Sequence, residues 1–111
     1  MSKDSEISIN VQTDENQVPE KLSWKTTDGG NSGDIKAMML SVWDESSQNT
    51  MRIDLWTKEM KVDEMKFFMH QSLLTMSDTF ERATGEKEMT LAMKDFCEYF
   101  AEKMNITPPS L

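Results

Sequence analysis

The chain has 111 residues, the size of one domain. Its formal charge of −8, from 12 basic and 20 acidic residues, sets it against nucleic-acid phosphates and anionic membranes. No run approaches the roughly 20 apolar residues that span a bilayer, and a single cysteine excludes an internal disulfide.

Leu, Ile, Val and Phe number 21 of the 111 residues. That is close to the level of roughly 20% below which highly charged chains stay disordered. Eleven methionines and three tryptophans restore enough apolar volume for a core. The opening MSKDSEISINV lacks an apolar h-region and a myristoylation pattern, so neither a secretory signal nor a lipid anchor is expected. A reducing cytoplasm is the expected compartment. One domain over 1–111 is expected, with an ordered core over about 6–104 and flexible ends at 1–5 and 107–111, the second carrying a Pro108-Pro109 stop.

The first half has period two. Ile7, Ile9 and Val11 alternate with Ser8, Asn10 and Gln12, which predicts a half-buried strand. Asp14–Pro19 is turn chemistry, and Leu22, Trp24 and Thr26 then alternate with Lys21, Ser23 and Lys25. Asp28-Gly29-Gly30-Asn31-Ser32-Gly33 reads as a loop of glycines and local hydrogen-bonders. The run IKAMMLSVW over 35–43 predicts a third strand, Asp44–Asn49 a turn, and Thr50–Lys58 a fourth strand with Met51, Ile53 and Leu55 on one face. Short connections favour an antiparallel meander.

The second half has helical period. From Val62, apolar residues recur at 65, 69, 73, 76, 80 and 83. Asp63 and Glu64 occupy the first turn, and Gly85 is a stop after Arg82 in the last. A second helix carries Met89, Met93, Phe96, Cys97, Phe100 and Met104 on one stripe. A connection of about three to five residues makes the helices an antiparallel pair. The expected fold class is α+β: a four-stranded, mainly antiparallel sheet followed by two C-terminal helices packed on one face, in two layers. Its expected core holds Ile7, Ile9, Val11, Leu22, Trp24, Met38, Leu40, Val42, Met51, Ile53 and Leu55.

Catalytic and metal-binding constellations are hard to find. His70 is the one histidine; on a wheel of about 100° per residue it lies about 100° from the main stripe, among Phe67, Leu74, Ser77 and Glu81. An amphipathic surface or interface histidine fits better than a zinc ligand, because Cys97 is the only other soft group. Cys97 sits on an apolar stripe with Glu98 and Glu102 nearby, which would raise its pKa; that suits packing better than nucleophilic attack. Asp44-Glu45 and Asp63-Glu64 read as turn and helix-start residues. The glycines at 29, 30 and 33 fit no phosphate or dinucleotide loop, and no nucleophile elbow or calcium loop is present. No catalytic residue, cofactor or metal is expected, and the chain is expected not to be an enzyme.

Apolar residues outside the expected core are more telling. Ala37, Met39 and Trp43 lie opposite the Met38/Leu40/Val42 face, and Trp56 lies opposite the Met51/Ile53/Leu55 face. If Val42 pairs near Met51, Trp56 falls across from Ala37 and diagonal to Met39, which makes an apolar patch. Such a patch is either covered by the N-terminus or the Gly-rich loop, or it is a contact surface. Phe67 and Leu74 lie about 120° to 140° from the main helical stripe, where the second helix or a partner could take them. Ala37, Met39, Trp43, Trp56, Phe67 and Leu74 are therefore the candidate interface residues. A second copy covering the patch, as a two-fold dimer, is the simplest closure.

The runs VPEKLSW (18–24), MLSVWDE (39–45), MRIDLWTKEM (51–60), VDEM (62–65), DTFERATGE (78–86) and DFCEYFAEK (95–103) closely resemble the gliding-motility-associated GldC family of Bacteroidetes. The likeness covers roughly residues 3 to 104. It implies a small soluble protein, cytoplasmic, that assists surface gliding through protein partners; it brings no catalytic or ligand residues. Strands followed by two helices in a small acidic protein are also similar to the export chaperone SecB, at the level of element order alone. That alternative implies binding of unfolded or exported clients on a methionine- and aromatic-lined surface.

Overall fold

The computed structural model describes residues 3–27 and 30–106. The chain divides into two compact units, Met1–Met60 and Lys61–Leu111. The first holds strands β1 (Ile7–Thr13), β2 (Pro19–Thr26), β3 (Ser32–Ile35), β4 (Ala37–Asp44) and β5 (Asn49–Trp56); the second holds helices α1 (Val62–Thr84) and α2 (Lys87–Lys103). The class is α+β with both helices C-terminal. Of the ends expected to be flexible, Met1, Ser2 and residues 107–111 with the Pro108-Pro109 stop lie outside the described residues, as do Asp28 and Gly29 of the loop.

The expected single four-stranded sheet is not what forms. Two antiparallel sheets are present: three strands in the order β1-β2-β3, and two as β4-β5. The run expected as one strand from Ile35 bends at Lys36. Before the bend Ile35 pairs with Leu22 of β2; after it Ala37 pairs with Trp56 of β5. A strand that serves two partners in turn must rotate between them, and neither Gly nor Pro marks the place. The loop also gives up its last two residues: Ser32 and Gly33, with Asp34 after them, pair with Lys25, Trp24 and Ser23.

Turn chemistry sets the β1–β2 and β4–β5 hairpins. In the β1–β2 turn, Asp14 Oδ1 accepts the N–H groups of Asn16 (2.8 Å) and Val18 (2.9 Å). In the β4–β5 turn, the Asp44 carboxylate accepts from the Ser47 N–H at 2.9 Å and the Ser46 hydroxyl at 3.1 Å. These bonds hold the Asp44 carboxyl below its ordinary value. Gln17 and Gln48 both sit in the left-handed region, with φ of 64° and 54°. Beyond β5, Lys58 makes an ion pair with Asp14 (2.5 Å), and its N–H donates to the Pro19 carbonyl at 3.2 Å.

The expected core is only partly a core. Leu22 is fully buried, and Trp24, Met38 and Leu55 are half-buried. Ile7, Ile9, Val11, Leu40, Val42, Met51 and Ile53 are exposed, contrary to expectation. Alternation put them on common faces, as the register confirms, but a two- or three-stranded ribbon cannot cover its own face.

In the helical unit, Lys61 N–H donates to Glu64 Oε1 at 2.9 Å, satisfying one helix-start donor. Gly85, at φ 72°, closes α1 with its N–H on Glu81 O at 2.8 Å, as its position after the periodic run predicts. Only Gly85 and Glu86 separate the helices, fewer than expected. Lys94 reaches Asp78 at 3.1 Å and Phe100 stacks on His70 at 6.1 Å, so late α2 meets early α1 and the pair is antiparallel. The buried residues are His70, Ser77, Thr90, Cys97 and Ala101. The fully buried positions are thus mostly small residues with His70, while Met65, Met69, Leu73, Phe80, Met93 and Phe100 of the expected stripes are half-buried. Val62, Met76, Met89, Phe96 and Met104 are exposed.

Candidate functional site

The β4–β5 hairpin carries the main feature. Its register runs Ala37–Trp56, Met38–Leu55, Met39–Asp54, Leu40–Ile53, Ser41–Arg52, Val42–Met51 and Trp43–Thr50. The condition set from the sequence, Val42 near Met51, is met, and with it Trp56 falls across from Ala37 with Met39 on the diagonal. Ala37 and Met39 are half-buried, whereas Trp43 and Trp56 are 68% and 56% exposed. The tryptophans do not merge into one patch, because a polar block lies between them. Arg52 donates to Ser41 Oγ at 2.7 Å and pairs with Asp54 at 2.8 Å on the same face.

The opposite face is more uniformly apolar. Met38–Leu55, Leu40–Ile53 and Val42–Met51 stack three aliphatic pairs with no polar side chain among them. Met51 and Ile53 are 58% and 53% exposed. Sequence reasoning assigned this face to the core and so did not count it among the exposed surfaces. The signal was present, since both faces of β4 are apolar, but alternation alone does not say which face is covered.

Phe67 and Leu74 belong to the helical unit. Phe67 is exposed; Leu74 is half-buried and lines a cavity of about 390 Å³ with His70, Cys97, Ala101 and Ile106. His70 and Cys97 do come close, in that cavity, yet both are buried. Burial pushes the Cys97 thiol up, against a smaller opposing effect of Lys94; the neighbouring glutamates are not the cause. A buried thiol with a raised pKa is a poor nucleophile. Among the described residues, no group of three or more His, Cys, Asp or Glu side chains could hold a metal ion. A second cavity, about 670 Å³, lies along the three-stranded sheet and is lined by Ile9, Trp24 and Gly33 as well as by Ser8, Asn10, Ser23, Lys25, Ser32 and Asp34. Among the described residues, no helix is long and apolar enough to cross a membrane.

The two sheets, the helical hairpin and the exposed apolar ribbon define a small α+β protein whose prominent surface feature is an apolar hairpin face. A family model for "gliding motility-associated protein GldC-like" matches residues 19–106. The chain belongs to this GldC-like family, which ties it to gliding motility. Searches of the curated proteins and of the solved structures found no match.

Proposed function

We propose that this chain is a non-enzymatic accessory protein of bacterial gliding motility that acts by binding other proteins through the β4–β5 hairpin. The observation that supports this reading is the hairpin itself: Leu40, Val42, Met51 and Ile53 stand exposed on one face and Trp43 and Trp56 on the other. Contiguous apolar surface of this kind is costly in water and marks binding sites. The partners are gliding or envelope machinery components, and a second copy of the chain. A single buried, free cysteine suits a reducing cytoplasm, where we place its work.

The test is complementation of a gliding strain that lacks the chain. Leu40→Thr with Ile53→Thr keeps strand propensity while removing aliphatic surface, and should abolish gliding with the fold intact by circular dichroism. His70→Ala and Cys97→Ala should keep gliding wherever the variant stays folded. Gliding retained by the double threonine variant, or lost in a folded histidine or cysteine variant, overturns the reading.

A further inference from the structure

We propose that a second copy of this chain pairs with the outer edge of β5, antiparallel and about a two-fold axis at Ile53, to join two hairpins into one four-stranded sheet. This deepens the reading of the hairpin as a contact surface and rests on it.

The hydrogen bonding of the hairpin fixes which groups face outward. The Thr57 N–H donates to the Lys36 carbonyl at 2.8 Å, so the 36–57 pair is a hydrogen-bonded one. Alternation then makes Met38–Leu55, Leu40–Ile53 and Val42–Met51 the bonded pairs of the ladder. The backbone groups of Thr50, Arg52, Asp54 and Trp56 consequently point away from β4. Among the described residues, none of these four makes a backbone hydrogen bond outside the ladder. The outer side is taken at its C-terminal end, where β2 approaches β5 and the Pro19 carbonyl accepts the Lys58 N–H.

Charge then selects the register. Two-fold antiparallel pairing must set these outward residues against one another. With the axis at Arg52, like guanidiniums face each other; with the axis at Asp54, like carboxylates do. With the axis at Ile53, each Arg52 faces the other copy's Asp54, and both pairs are hydrogen-bonded backbone positions. Opposite charges directly across an antiparallel pair stabilise it and like charges destabilise it. Within one copy Arg52 bonds Ser41 of β4 and its own Asp54, so pairing between copies exchanges that intrastrand partner for the second copy's Asp54.

The same register suits the other face. Met51 lies opposite Leu55 of the second copy and Ile53 opposite its own equivalent, so the aliphatic rows of the two hairpins become continuous. A lone two-stranded ribbon is marginal in water, while four strands are not. An open edge rich in β-branched and apolar residues is otherwise a template for uncontrolled pairing.

Sedimentation velocity on the full chain from 1 to about 100 micromolar should show a reversible dimer; a monomer throughout overturns the proposal. Arg52→Asp and Asp54→Arg should each weaken the dimer at least tenfold, and an equimolar mixture of the two should restore it as a mixed dimer. The mixture separates pairing between copies from the Arg52–Asp54 pair within one strand. In a Cys97→Ala chain, Ile53→Cys should cross-link to itself under a mild oxidant. Met51→Cys alone should not, and Met51→Cys mixed with Leu55→Cys should. A dimer that ignores both charge reversals but is lost in Trp56→Glu is stacked face to face and overturns the edge pairing, as does a dimer in which Ile53→Cys fails to cross-link. An intact dimer in cells that do not glide counts against the role in motility and leaves the pairing standing.

Discussion

Single residues carry unequal burdens in this fold. Asp14 accepts two backbone N–H groups within its turn and an ion pair from Lys58, and the Lys58 ammonium is the largest cause of its lowered pKa. Lys58 is raised in return, chiefly by Asp14. A lowered carboxyl stabilises the fold above its ordinary value of 3.8 and loses that contribution as pH falls through the folded pKa. A raised ammonium stabilises below 10.5 and loses its share as pH rises through the folded pKa. The pair is therefore at full strength across the neutral range. Asp14→Asn should lower stability at pH 7 and much less at pH 2, which urea unfolding at the two values will show. Cys97 offers a second check. Being 2% exposed with a raised pKa, it should react with a thiol reagent at neutral pH only on the timescale of opening, and at once in denaturant.

At the scale of elements, turns and caps are where backbone strain can be read. Gly85 sits at φ 72° with nothing within 4 Å of a notional Cβ, so Gly85→Ala meets no clash and only the left-handed penalty. A loss of about 1 kcal/mol is expected in chemical unfolding. Gln48, at φ 54° in the β4–β5 turn, is the converse case. Gln48→Gly relieves the same penalty at some cost in unfolded-chain entropy, and should raise stability by up to about 1 kcal/mol. The glycine at 85 was legible from its place after a periodic run. The glutamines were not, because no composition rule assigns them positive φ. Strand β3 escaped notice for a related reason: Ser32-Gly33-Asp34 has no apolar alternation and is a strand only because β2 lies alongside it.

For the whole molecule, the consequence is an apolar surface that persists in the folded state. The parent chain should enhance the fluorescence of an anilinonaphthalene sulfonate dye while giving native circular dichroism, and Leu40→Thr with Ile53→Thr should reduce the enhancement. Edge pairing through β5 lengthens this aliphatic face without covering it, so the dye signal should survive dimer formation. In the proposed dimer the charge of −8 on each copy would add long-range repulsion, which the Arg52–Asp54 pairs would offset locally.

Period and punctuation in the sequence were enough to determine the α+β class, the two C-terminal helices, the Gly85 stop and the family, because each depends on neighbours within a few residues or on long contiguous runs. Tertiary structure alone decided the bend at Lys36, the split into two sheets and the faces left in water. Alternation assigns residues to common faces but carries no record of what packs on them. That is why Leu22 is buried while Leu40 and Ile53, patterned in the same way, are exposed. The helices show the same limit: Cys97 is buried on the stripe where periodicity put it, yet Ser77 and Thr90, which no apolar pattern marks, are buried as well.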